Sequence, residues 1–158
     1  DVTLNYTCIF DLSKADKSNV KDGKIVKVDG NEAIKLRLPS SKKGDELSYR
    51  EVFVIAVKGD IDTSKIEVTD GTPTVITLGR IELDGEVPTA TDALIANKKA
   101  AGLAEVDALF ANPLAFAVAD INGSGDITAL DAYLINMLSA GSTEIDWADK
   151  NIVNLVIE

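Results

Sequence analysis

The chain has 158 residues, 46% of them apolar, and a formal net charge of −10, an acidity that repels nucleic acid and anionic membrane and suits a protein that collects divalent cations. Histidine is absent, which removes the commonest general base and transition-metal ligand, and the single cysteine, Cys8, excludes a disulfide framework and reads as a small core hydrophobe. No apolar run approaches membrane-spanning length, and the opening at Asp1 without a methionine reads as a segment cut from something longer.

Residues 1–78 have the grammar of strands. Runs rich in β-branched and aromatic residues cover 2–10, 24–28, 33–38, 50–57, 65–69 and 74–78. Turn signals separate them at Asp22-Gly23, Asp29-Gly30, Lys43-Gly44-Asp45, Gly59-Asp60 and Asp70-Gly71. Asp29-Gly30 suits a tight hairpin. Short strands at this spacing predict an all-β, immunoglobulin-like antiparallel sandwich as a first domain. The acidic residues here sit mostly at turns, where their side chains cap the backbone.

From Gly79 to residue 158 the grammar is helical, which predicts a second, small all-α domain. Apolar spacing predicts helices over 89–101, 104–110 and 128–140, with Gly102 and Gly141 at C-terminal glycine positions. Leu130, Tyr133, Leu134, Met137 and Leu138 form one apolar stripe, with Ile135 off it. The tail, 151–157, reads as a strand that joins the N-terminal sheet or clasps the helical half, with Trp147 buried at that junction.

The helical half repeats itself at an offset of 39: Thr89, Ala90, Asp92, Ala93, Asn97, Ala101 and Gly102 recur as Thr128, Ala129, Asp131, Ala132, Asn136, Ala140 and Gly141. The second repeat opens with Asp120-Ile121-Asn122-Gly123-Ser124-Gly125-Asp126-Ile127-Thr128-Ala129-Leu130-Asp131. Counted from Asp120, side-chain oxygens fall at positions one, three, five, nine and twelve, and glycine stands at six where the chain turns around an ion. This is the EF-hand spacing, and it suits Ca²⁺, a hard cation that takes six to eight oxygens. Asp120, Asn122, Ser124 and Asp131 are candidate side-chain ligands, Asp126 a backbone-carbonyl ligand, and Thr128 a ligand through water. The bland alternative is an acidic turn capping a helix, with Asp131 favoured by the helix dipole.

The first repeat aligns only if one residue near Pro88 is an insertion, and position one is then Arg80. Two readings stand. Glu82, Asp84, Thr89 and Asp92 keep several oxygens, and Glu86 at position seven adds a backbone carbonyl, enough for a second ion. Alternatively the Arg80 guanidinium takes the ion's place and pairs with Glu82, Asp84 and Asp92.

Two EF-hand-like loop–helix repeats joined by a short helical linker resemble a dockerin. Leu78-Gly79-Arg80-Ile81-Glu82-Leu83-Asp84-Gly85 is similar to that family's first loop with its leading aspartate lost, and Ala119-Asp120-Ile121-Asn122-Gly123-Ser124-Gly125-Asp126-Ile127-Thr128 is similar to its second. The β half ahead of it resembles, on architecture alone, the X-module of X-module–dockerin pairs. The resemblance implies an extracellular, non-catalytic assembly module that binds a cohesin in a calcium-dependent way. It would attach its parent protein to a cellulosome-like polysaccharide-degrading complex or a cell-surface scaffold. It also implies partner contacts at Ala90, Thr91, Asn97 and Lys98 in the first repeat and at Ala129, Leu130, Asn136 and Met137 in the second. The Ser/Thr pair usual in some groups is missing from these positions. One set is polar with a lysine and the other apolar, which favours one binding orientation over two.

Rival readings are weaker. No Gly-x-Ser-x-Gly, phosphate loop or distinctive carboxylate pair points to an enzyme. A calcium-stabilised carbohydrate-binding module is the main alternative, and one Trp with three Tyr gives it few sugar platforms. A calcium sensor would need a Met-rich groove.

Overall fold

The computed structural model of the chain describes residues 4–11, 24–28, 30–57, 66–142, 144–147 and 156–157. Strands β1 (Leu4–Asp11), β2 (Lys24–Val28), β3 (Asn31–Glu32), β4 (Ile34–Pro39), β5 (Tyr49–Val57), β6 (Ile66–Asp70) and β7 (Val75–Thr77) come first. Helices α1 (Ala90–Ala100), α2 (Asp107–Phe110), α3 (Pro113–Ala119) and α4 (Ala129–Ser139) follow, and β8 (Val156–Ile157) comes last.

Strand β5, dense in aromatic and β-branched residues, is the middle of a five-stranded sheet ordered β7-β4-β5-β1-β8. It pairs antiparallel with β1 through Ile9↔Val54 and with β4 through Leu36↔Val52. Strand β7 lies parallel to β4, with Leu36↔Ile76 in register. The C-terminal β8 pairs antiparallel with β1, Leu4↔Ile157, so the chain's last strand lies on the edge of the sheet its first strand opens. A second sheet is ordered β3-β2-β6; the β2–β3 register, Val28↔Asn31, closes a tight turn in which Gly30 has φ 80°.

Period-two alternation on β4 places Leu36 and Leu38 in the core with half-buried Arg37 on the opposite face. That core is continuous with the helices: Val52, Ile76 and Leu78 from the sheet region share one cluster with Ala93, Ala96, Val118, Ile121, Ile135 and Trp147. Phe53, next to Val52 and so on the other face of β5, is also buried, and β3 packs near β5.

This corrects the expected fold class. The chain is mixed α and β, and it is not an immunoglobulin-like antiparallel sandwich followed by an all-α unit. The larger sheet is itself mixed, through the parallel β4–β7 pair. The physical reason lies in what covers the sheet. Alternation reports that a strand has a buried face; whether another sheet or a helical layer buries it is a tertiary matter. Here the helices join that core.

Two further differences are local. The sequence reading assigns no helix to residues 113–119, yet Asn112-Pro113 carries the start signal: the Asn112 Oδ1 accepts the Leu114 N–H at 3.0 Å and Pro113 sits in the first turn. The stripe read along 128–140 divides: Leu134 and Leu138 are buried, whereas Leu130 and Tyr133 are 51% and 55% exposed, and Ile135, off the stripe, is fully buried.

Trp147 ties the C-terminal part of the chain to the β4–β5 connection. Its side chain is buried in the common core, and its backbone N–H donates to the Ser41 carbonyl at 2.9 Å, in the connection between β4 and β5. Trp147→Ala is expected to destabilise the whole chain by about 3–5 kcal/mol, read as a lower denaturant midpoint in one cooperative transition. A midpoint unchanged from wild type would show that this junction is not part of the core.

Candidate metal centre and docking face

The two repeats share their caps and turns, and differ by one position in the amide bonded at the loop start. Thr89 and Thr128 are the N-caps of α1 and α4, with φ/ψ of −123°/172° and −122°/173°. Each begins a capping box closed by the aspartate three residues on, Asp92 or Asp131. Asp92 Oδ2 accepts the Thr89 N–H at 2.8 Å, and Asp131 Oδ2 accepts the Thr128 N–H at 2.9 Å. The other oxygen of each reaches back to the start of its loop: Asp92 Oδ1 accepts the Ile81 N–H at 3.0 Å, and Asp131 Oδ1 accepts the Asn122 N–H at 3.3 Å. Gly85 and Gly125, at position six, have φ of 80° and 89°. Leu83 holds φ 59° where Gly123 holds 67°, a left-handed conformation that costs an L-residue about 1–2 kcal/mol. The residue at Pro88 is therefore absorbed without altering the loop's turns.

In the second loop the calcium candidates converge around two buried carboxylates. Asp120 accepts the Ser124 N–H at 3.1 Å, the Ser124 hydroxyl at 3.3 Å and the Gly125 N–H at 2.8 Å. Asn122 Oδ1 accepts the Ser124 N–H at 3.2 Å. The Ser124 hydroxyl also lies 3.0 Å from the Asp126 carbonyl, which turns that carbonyl toward the same loop interior, while the Asp126 carboxylate stays exposed. The Thr128 hydroxyl lies 3.3 Å from Asp131 Oδ2. Asp120 and Asp131 are 9% and 0% exposed, and among the described residues no Lys or Arg pairs with either. Burial pushes the Asp131 carboxyl above the usual range and the Asp120 charge adds to the push, while the Thr128 and Asn122 N–H groups oppose it. Buried like charges call for a cation, because desolvating a carboxylate costs several kcal/mol unless it is paired. Among the described residues no three His, Cys, Asp or Glu side chains are placed to hold a metal ion. An ion here would rest on Asp120 and Asp131 with neutral oxygens from Asn122, Ser124 and the Asp126 carbonyl, a donor set suited to Ca²⁺.

The first loop carries its own cation. The Arg80 side chain, 13% exposed, bonds Asp84 with two nitrogens, at 2.9 and 2.8 Å, and reaches Glu82 at 3.2 Å and Asp92 at 3.1 Å. The bonds to Asp84 are the largest reason that Arg80 is held still further into its charged form. Of the candidate ligands, Glu82, Asp84 and Asp92 all face this guanidinium, which occupies the loop's carboxylates; Thr89 caps α1 as Thr128 caps α4, and Glu86, a candidate through its backbone carbonyl, has an exposed side chain. Their arrangement does not fit a second calcium ion. The loop is also tied to the sheet: Arg37 Nη1 and the Thr77 hydroxyl both donate to the Gly85 carbonyl, at 3.0 and 2.9 Å.

Helices α1 and α4 pack side by side and enclose a shallow groove lined in equivalent pairs: Ala90 with Ala129, Ala93 with Ala132, Leu94 with Tyr133, Asn97 with Asn136. Of the partner candidates, Ala90, Thr91, Asn97, Ala129, Leu130 and Asn136 are exposed. Lys98 is partly engaged by Glu105, 3.5 Å away, and Met137 packs half-buried against the core. Sequence reasoning missed Leu94 and Tyr133, 53% and 55% exposed: it did not single out Leu94, and it counted Tyr133 in the apolar stripe of its helix. The signal for them is the repeat itself, which puts an apolar residue at the same turn of each helix.

The Arg80 bonds, and next to them the Glu86 N–H, hold the Asp84 carboxyl down to about 2. A depressed carboxylate contributes stability above the ordinary range and loses it as the pH falls through its folded value. Carbon-detected NMR titration is therefore expected to place Asp84 near 2, and Arg80→Gln to return it to the ordinary carboxylate range. An ordinary value in the wild type would contradict the cluster. Comparison of the chain with known protein families, curated proteins and solved structures finds no match.

Proposed function

We propose that this chain is a non-catalytic, dockerin-like assembly module: a calcium ion held by the second loop helps fix α4 beside α1, and the two helices present one face to a cohesin-type partner. The observation that carries the reading is the pair of equivalent loop–helix repeats, whose helices bury one side in the common core and leave Leu94, Leu130 and Tyr133 in solvent beside a shared groove. Solvated large apolar side chains clustered on one face mark an interaction surface when they are contiguous and rimmed by polar groups. Asn97 and Asn136 supply polar groups within this groove.

The sheet half lies against the helices through a common core and through Arg37 and Thr77, which supports a bracing role of the kind an X-module plays toward its dockerin. The exposed faces of the two helices are unequal. Thr91 and Leu94 in the first repeat stand opposite Leu130 and Tyr133 in the second. One docking orientation is therefore favoured over its symmetric alternative, because apolar anchors carry most of an interface's energy.

The direct test is binding of the full chain to a panel of cohesin modules with calcium and with excess chelator. Calcium is expected to raise the Tm and to be required for binding, and Asp120→Ala to abolish both effects. Binding that survives chelation unchanged would overturn the calcium part of the reading, and no binding to any cohesin would overturn the partner. Leu130→Ala and Tyr133→Ala are each expected to weaken binding roughly tenfold or more, and Thr91→Ala and Lys98→Ala far less. Equal small losses from both helices would remove the preferred orientation.

A further inference from the structure

We propose that the docking face is half permanent and half ion-gated: Arg80 is the resident cation of the first loop and keeps α1 capped at all calcium levels, whereas α4 holds its place only while the second loop is loaded. The gating of α4 rests on the calcium reading above; the permanence of α1 does not.

Both loops set the same turns and deliver a buried aspartate to the N-cap amide and to an amide at the loop start, Ile81 at position two in the first and Asn122 at position three in the second. Each aspartate must therefore meet positive charge in the same place. In the first loop that charge is covalent. The guanidinium contacts the carboxylates at positions three, five and twelve, through all three of its nitrogens. A planar fork with charge-assisted bonds makes such a cluster geometrically specific. In the second loop the residue at position one is Asp120, which adds a negative charge beside Asp131 in place of a positive one.

The sheet deepens the difference. Arg37 and Thr77 hold the Gly85 carbonyl from outside the first loop, and the Gly79 N–H donates to the Val118 carbonyl at 2.7 Å. The first loop is thus fixed by an internal cation, by two sheet side chains and by the end of α3. Withdrawal of an ion has nothing there to withdraw. In the second loop it exposes the repulsion between Asp120 and Asp131, and relief comes by letting the loop and the first turn of α4 open. A partner that reads both helices would then lose its Leu130 and Tyr133 contacts while the α1 side of the face stays presented.

Hydrogen–deuterium exchange of the full chain in calcium and in excess chelator tests this, with the ion count taken by calorimetric titration. Wild type is expected to bind one ion, and Asp120→Ala none. Chelation is expected to lower protection of the second loop and the start of α4 by roughly tenfold or more, and to leave α1 within about twofold. Arg80→Gln is expected to lower protection of α1 in both conditions, and Arg80→Lys, which keeps the charge and loses the fork, to fall between. Equal loss in both helices on chelation would overturn the proposal, as would an ion that Asp120→Ala retains and Asp84→Asn removes. Unchanged α1 protection in Arg80→Gln would overturn the role of Arg80. If wild type bound no ion while Arg80→Gln still loosened α1, the gated half would fall together with the calcium reading, and the permanent half would stand.

Discussion

Helices α1 and α4 each begin on a carboxylate that water barely reaches. Asp92 is 1% exposed and Asp131 0%, and each spends its two oxygens on backbone amides at opposite ends of its loop. That single side chain ties the loop's entry to the helix's first turn, so the loop cannot open without uncapping the helix. The same placement creates an obligation. A buried carboxylate is tolerated only with compensating charge or hydrogen bonds, and amides supply part of that. Asp92 has the Arg80 guanidinium besides its amides, whereas Asp131 has only amide and hydroxyl partners among the described residues.

The sheet matters to the site through what it touches. Arg37, on the face of β4 opposite Leu36 and Leu38, stacks over the Tyr49 ring at 5.1 Å and donates to Gly85. A strand residue thereby anchors a loop 48 residues away in sequence. Trp147 makes the reciprocal connection from the C-terminal side. The helices are thus packed on the sheet through a shared core.

Much of this was legible in the sequence, and the limits have physical causes. The strand runs at 24–28 and 50–57 fall on β2 and β5, and the helix patterns at 89–101 and 128–140 fall on α1 and α4, within a residue or two. Local propensity and capping chemistry decide those elements, and both are written in consecutive residues. The sandwich was wrong because alternation on β4 is the same whether a sheet or a helix covers it. The parallel β4–β7 pair was likewise invisible, since pairing direction leaves no mark in a three-residue strand. At the site, spacing singled out Asp120, Asn122, Ser124 and Asp131, and charge singled out Arg80 against Glu82, Asp84 and Asp92. Spacing did not reveal that Leu130 and Tyr133 face solvent while Ile135 is buried, because a helix with apolar residues on two sides does not say which side meets the core.

Arg80 places the two loops under different structural constraints. A metal loop tolerates drift among oxygen donors, since a carbonyl, an amide or a water can replace one another around a sphere. A guanidinium makes directed bonds at fixed angles, so Glu82, Asp84 and Asp92 are now bound to its plane, and even lysine is a poor heir to it. The first repeat answers to the stereochemistry of one side chain, a constraint the second does not carry.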